Sequence, residues 1–204
     1  LPAERIAERT LLNRAALLEW ATEHRVAVSP RVFLPAEAGG ERLPSFAAAL
    51  AAGGVHHALP GGTRQEVLRE AVSRLPLPEG IEAGELLAFL LARETAGSSA
   101  IGDGIAIPHV RAPIVLDVDE ALVSLSFLAA PVDFGASDGR PVTVLVTMVT
   151  PTVHGHFHLL AALACLLRDE AFRAAVRAAA PADELLALAR QIEARGGGRR
   201  AEAG

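Results

Sequence analysis

The apolar residues of this chain change period twice, and that change restricts its fold more than any other feature. Val67, Leu68, Ala71, Val72 and Leu75 repeat on one helix face. This helix opens at Thr63, where Thr-Arg-Gln-Glu forms a capping box through Glu66. Leu86, Leu87, Phe89, Leu90 and Leu91 crowd a second helix over residues 84–93, which is expected to be largely buried. The pattern then becomes extended. Ile105-Ala106-Ile107 ends at Pro108, residues 121–128 alternate in part, and residues 142–149 are β-branched and almost unbroken. Asp138-Gly139 supplies a turn before the last of these strands. From about Phe157 the helical period returns through Leu159, Leu160, Leu163, Leu166 and Leu167, then Phe172 and Val176, then Leu185, Leu186, Ala189 and Ile192. Strands enclosed in sequence by helices predict an α/β layered domain.

The rest of the chain is organised around that domain. Residues 1–45 contain one expected helix, capped by Asn13 and carrying Leu17, Leu18, Trp20 and Ala21, followed by a Pro- and Gly-rich linker. The main domain is expected over 46–193, with a small, disordered tail over 194–204. The chain starts at Leu1 instead of Met and reads as a piece of something longer. At 51% hydrophobic it can bury a core, yet no apolar run is long enough for a membrane span, and no signal segment is evident. A cytoplasmic protein without membrane insertion is expected. Its one cysteine makes no internal disulfide, and Cys165 is expected to be a packed, inert thiol.

Net charge is −5, unevenly divided. Residues 1–45 balance six arginines against six acids, whereas residues 46–194 set ten arginines against seventeen acids. Nucleic-acid binding by this chain is therefore not expected, because phosphate affinity comes from basic clusters.

Seven histidines and no tyrosine make imidazole the place to look for chemistry. His24 reads as a surface residue, and His56 and His57 as part of a solvated Gly-rich turn. His109 ends the run Gly-Asp-Gly-Ile-Ala-Ile-Pro-His, where Pro108 closes the strand and leaves the imidazole at the sheet's opening. Local pattern alone leaves two readings, a reactive group or a strand-end residue bonded to a loop. His154, His156 and His158 alternate in a way that suits metal ligands on an extended segment. Gly155 and the lack of a further ligand at a familiar spacing weigh against a metal, and none is expected. His158 instead falls in the first turn of the helix at Leu159, where free amides and the helix dipole favour an anion. Arg93 ends the preceding apolar helix and leads into Thr-Ala-Gly-Ser-Ser, so its guanidinium with Ser98 or Ser99 is a candidate phosphate grip. Bland alternatives are a dipole partner for Arg93 and a plain loop for the serines. No P-loop, dinucleotide fingerprint or nucleophile elbow is present.

Residues 86–111, LLAFLLARETAGSSAIGDGIAIPHVR, resemble the active-site segment of enzyme IIA domains of the bacterial phosphotransferase system, of the fructose/mannitol and nitrogen-regulatory type. The resemblance continues through Asp-Gly-x-Pro-Val, through residues 147–151 and into the helix at His158, covering about 46–193. It implies an enzyme IIA type-2-like fold, a mixed β-sheet flanked by helices. It also implies a phosphotransferase activity without cofactor or metal. His109 would take a phosphoryl group from a histidine phosphocarrier protein and pass it to an enzyme IIB domain, or hold it as a signal to a regulated target protein. Arg93 matches the family's arginine near the phosphate, His158 its second active-site histidine, and Ser99 a common threonine or serine. A non-enzymatic regulatory binding module is the alternative. Residues 11–21, LLNRAALLEWA, resemble the end of an excisionase-type winged-helix module. This raises a third reading, a DNA-binding transcriptional regulator with an enzyme IIA sensor domain, whose DNA-reading part would lie before Leu1.

Overall fold

Two serine and threonine caps start the architecture of the main domain. Ser45 accepts the Ala48 amide at 3.3 Å and opens helix α1, Phe46–Gly53. Thr63 accepts the Glu66 amide while Glu66 accepts the Thr63 amide, the expected capping box, and opens α2, Arg64–Ser73. A computed structural model describes residues 3–6, 9–12, 43–78, 81–108 and 120–201. The chain divides into two units, 1–42 and 43–204. In the first, β1 (Ala3–Ile6) pairs antiparallel with β2 (Arg9–Leu12), Ala3 opposite Leu12. The helix expected around Leu17 and the linker lie outside the described residues.

In the second unit, β3 (Val55–Leu59) follows α1, and α3 (Ala83–Ala96) follows α2. Then come β4 (Ala100–Gly102), β5 (Ile105–Ala106), β6 (Leu122–Val132) and β7 (Val142–Val149). Helices α4 (Val153–Arg168), α5 (Glu170–Arg177) and α6 (Ala182–Ala201) complete it. The sheet runs β3-β6-β7-β5-β4. β3 is parallel to β6 and β5 to β7, whereas β6/β7 and β4/β5 are antiparallel, so the sheet is mixed, as the resemblance implies. α6 passes residue 193, where the sequence places the domain's end.

Strand alternation assigns the two faces. Val123, Leu125 and Phe127 of β6, with Ile105 and Ile107, join a core built by α1, α4, α5 and α6. Ala106 and Leu145 turn to the opposite face, packed by α2, and Leu122 and Val149 meet Leu86 and Leu90 of α3. Each fully buried leucine contributes roughly 1.5–3 kcal/mol, so these three clusters hold the layers together. Buried Ser124, Ser126 and Thr147 have the same parity as Leu122 and Val149 and lie on the α2/α3 face.

Several local expectations are corrected. His56 and His57 belong to strand β3, not a solvated turn. The strand is short and its glycine neighbours resemble a loop, but Val55 pairs with Leu125 and Leu59 with Leu128. Helix α3 is not largely buried. Only Leu86, Leu90 and Glu94 are fully buried, Leu87 and Leu91 are partly so, and Phe89 is 42% exposed. Cys165 is exposed rather than packed, because the inward stripe of α4 is Leu159, Leu163 and Leu166.

Candidate functional site

The glycine-rich loop after α3 is fastened at both sides by groups that the sequence brings within a few residues of each other. Arg93 sits in the last turn of α3 and donates from Nη1 to the Gly97 carbonyl at 2.7 Å. Its Nε–H is buried with no acceptor among the described residues. Ser98 uses its hydroxyl locally, accepting the Ala100 amide at 3.0 Å. Ser99 is 4% exposed, and its Oγ has no partner among the described residues. The two serines are therefore unlike: Ser98 Oγ already accepts an amide in a turn, whereas Ser99 Oγ has no partner among the described residues.

The residue that sequence reasoning passed over is Glu94. It follows Leu86 and Leu90 at intervals of four, so α3 turns its carboxylate inward with the leucines. Glu94 Oε2 accepts the Ser99 amide at 3.2 Å, and Arg64 of α2 stands 3.9 Å away, almost out of ion-pair range. Its Oε1 is buried without a partner among the described residues. The i, i+4, i+8 spacing was the available signal. It was obscured because a glutamate beside an arginine at a helix end usually faces water.

The Ser99 carbonyl accepts the Ile107 amide at 3.0 Å. One residue thus ties the Arg93 loop to Ile107, which follows β5 and stands two residues before His109 in the sequence. His109 itself lies outside the described residues. The far end of the β4–β5 turn is fixed by Asp138, which accepts the Asp103 amide at 2.8 Å and the Arg140 amide at 3.1 Å. These two amides, Asp103 first, hold the Asp138 carboxyl below its usual range. Gly104 has a φ of 75°, and a Cβ there would lie 3.0 Å from Thr143 Oγ1, so this tight turn requires glycine.

His158 is placed differently from expectation. Helix α4 starts at Val153 with Thr152 as cap, so His158 lies in the second turn. The Thr152 hydroxyl accepts the Gly155 amide at 3.0 Å, and the Thr152 carbonyl accepts the His156 amide. The His154–His158 run is helical, not extended, which turns His156 away from the face shared by the other two. Among the described residues no three His, Cys, Asp or Glu side chains are gathered in a metal-binding group. No helix among them is long and apolar enough to cross a membrane. Leu159, one residue beyond His158, and Ile107, two before His109, belong to the same buried cluster. Arg93, Ser98, Ser99 and Ile107 are thus brought together, and His158 is carried on the helix that covers the same sheet face as Ile107.

Residues 51–191 match the family described as the phosphoenolpyruvate-dependent sugar phosphotransferase system, EIIA 2. The chain belongs to this family. It is 33% identical over 139 residues to the nitrogen regulatory protein of Pseudomonas aeruginosa, covering 66% of this chain and 88% of that protein. Among solved structures it resembles nitrogen regulatory protein IIA-Ntr from Neisseria meningitidis, with a TM-score of 0.56 and 28% identity over 66% of this chain and 91% of that one. The fold is also that of enzyme IIAMTL in its complex with phosphorylated enzyme IIBMTL from Escherichia coli. There the TM-score is 0.55 and the identity 20%, over 67% of this chain and 94% of that one. The mixed sheet flanked by helices is that of the enzyme IIA domain. The family match starts at residue 51 and leaves the excisionase-like segment outside it.

Proposed function

We propose that this chain is a phosphoryl carrier whose His109 accepts phosphate from a histidine phosphocarrier protein. The observation that carries the reading is the Ser99–Ile107 hydrogen bond at 3.0 Å, which joins the Arg93 loop to the residue two before His109 in the sequence. The N–P bond of the donor phosphohistidine breaks as a ring nitrogen of His109 bonds to phosphorus, and the donor imidazole departs with its electron pair. Such a transfer makes few demands beyond alignment and neutralisation of the three equatorial oxygens. Arg93 is the permanent cation for that charge, with a buried Nε–H lacking an acceptor. The unpartnered Ser99 hydroxyl is the second donor, and His158 the second imidazole. Ser98 contributes through its turn rather than as a free hydroxyl.

The experiment is phosphorylation of the full chain by the general phosphotransferase proteins and phosphoenolpyruvate, read by mass. A phosphate-sized gain that is labile in acid, and absent from His109→Ala, is expected. No gain where a control protein is phosphorylated overturns carrier function, whereas a gain surviving in His109→Ala overturns the residue assignment. Arg93→Ala is expected to slow the gain more than it lowers the melting temperature.

A regulatory use of the phosphate is favoured by the likeness to nitrogen regulatory proteins over most of their length. The phosphorylated chain is then expected to keep its phosphate when mixed with sugar-specific enzyme IIB domains. Rapid discharge to an enzyme IIB cysteine would instead assign it to transport.

A further inference from the structure

A cavity lies near Leu167 at the end of α4 and beside Ile105 at the start of β5. It encloses about 240 Å³. Pockets for drug-sized ligands span roughly 300–1,000 Å³, so this one suits a smaller molecule. Its floor is apolar, formed by Ile105, Phe127 and Val144 from three neighbouring strands and Val176 from α5. Two arginines one turn apart, Arg173 and Arg177, stand at its wall.

Their partners leave donors over. Glu170 pairs with Arg173, and its other oxygen is 3.9 Å from Arg177, but Glu170 is 72% exposed and such surface pairs contribute little. Arg173 Nε–H is buried with no acceptor among the described residues, a costly state for a charged donor. The one acid at the wall, Asp103, is already paired with Arg140 at 3.0 Å. An anionic acceptor is therefore the missing partner, and the apolar floor requires a carbon body attached to it.

We propose that this cavity binds a small organic monocarboxylate, its carboxylate held by Arg173 and Arg177 and its apolar body lying on Ile105, Phe127, Val144 and Val176. The ligand would rest on β5, the strand whose far end leads to Pro108-His109, although binding itself does not depend on phosphoryl transfer.

The test is calorimetric titration of the full chain with benzoate, benzamide and acetate, without phosphotransferase components. Saturable binding of benzoate is expected, with benzamide at least about tenfold weaker, the loss that follows from one charge-assisted hydrogen bond, and acetate weaker by about tenfold or more because it has no apolar body to bury. Arg173→Gln and Arg177→Gln should each weaken benzoate by about tenfold or more at unchanged far-ultraviolet circular dichroism. Arg177 is 56% exposed, so its substitution decides the matter even where Arg173→Gln does not fold. Absence of saturable benzoate binding overturns the proposal, as does undiminished binding to Arg177→Gln. Benzamide binding as well as benzoate removes the arginine role, and acetate matching benzoate removes the apolar floor.

Discussion

Glu94 holds Ser99 by its amide while Ser99 holds Ile107 by its carbonyl, so a buried carboxylate sets where the candidate phosphate loop meets its strand. Removing it strands the Ser99 N–H in the interior. Glu94→Ala should therefore cost about 1–3 kcal/mol, and Glu94→Gln, which keeps an acceptor, less. Both should slow phosphoryl acceptance, the alanine variant by about ten- to a hundredfold if the loop shifts by about an ångström. Thermal melting and the rate of mass gain separate the two effects, and an unchanged rate in Glu94→Ala would rule out a positioning role. His56 supplies a pH test. Burial, with smaller contributions from the Arg74 and His57 charges, lowers its pKa below the ordinary value of 6.5. The unfolded chain then binds the proton more readily, so stability should fall as pH drops through about 6.5 toward the lower folded value. Denaturant midpoints across that interval should fall less steeply in His56→Gln than in the parent chain. Arg93 and Ser99 are candidates because residue type and spacing suit a phosphate grip. Glu94 is not legible in the sequence, because its role depends on the direction of one helix face.

Helix α1 closes against the sheet without clearance at its last residue. A Cβ on Gly53 would lie 2.3 Å from the Val123 carbonyl oxygen, in the backbone of β6. Backbone cannot rotate aside, so Gly53→Ala should cost about 3 kcal/mol or more. Gly84 in the first turn of α3 has nothing within 4 Å of the same added atom, and Gly84→Ala should stabilise by about 0.5–1 kcal/mol. Urea titration of the pair checks whether close approach or helix propensity governs each glycine, and a mild Gly53→Ala would contradict the packing argument. The same contrast explains which elements could be read from sequence. Thr63-Arg-Gln-Glu and the run at 142–149 carry their own local chemistry, and α2 and β7 stand where expected. Residues 46–53 are alanine-rich and apolar on every side, leaving no stripe to recognise, so α1 was not anticipated. In α4 the histidines hid the helical start that Thr152 caps, and His158 moved one turn inward. β4 is three residues long, too short for any period, and its existence depends on pairing with β5.

The enzyme IIA domain joins its first and last elements through one side chain. Glu193 on α6 accepts the Ser45 hydroxyl at 2.8 Å, the Phe46 amide at 2.6 Å and the Ala47 amide at 3.1 Å. It thereby caps α1 from a position 146 or more residues away in sequence. No pattern in the chain announces such a contact, since it exists only after α1 and α6 have packed on the same face of the sheet. A carboxylate at a helix N-terminus gains from both the free amides and the dipole. Glu193→Ala should lower global stability by about 2–3 kcal/mol, as expected for charge-assisted hydrogen bonds lost together. Amide hydrogen exchange gives the more specific reading. Phe46 and Ala47 should exchange faster in Glu193→Ala, while the amides of β6 and β7 change only with the global stability. Equal acceleration everywhere would mean that the clamp acts on the whole fold, whereas unchanged exchange at Phe46 would mean that Glu193 does not protect that amide.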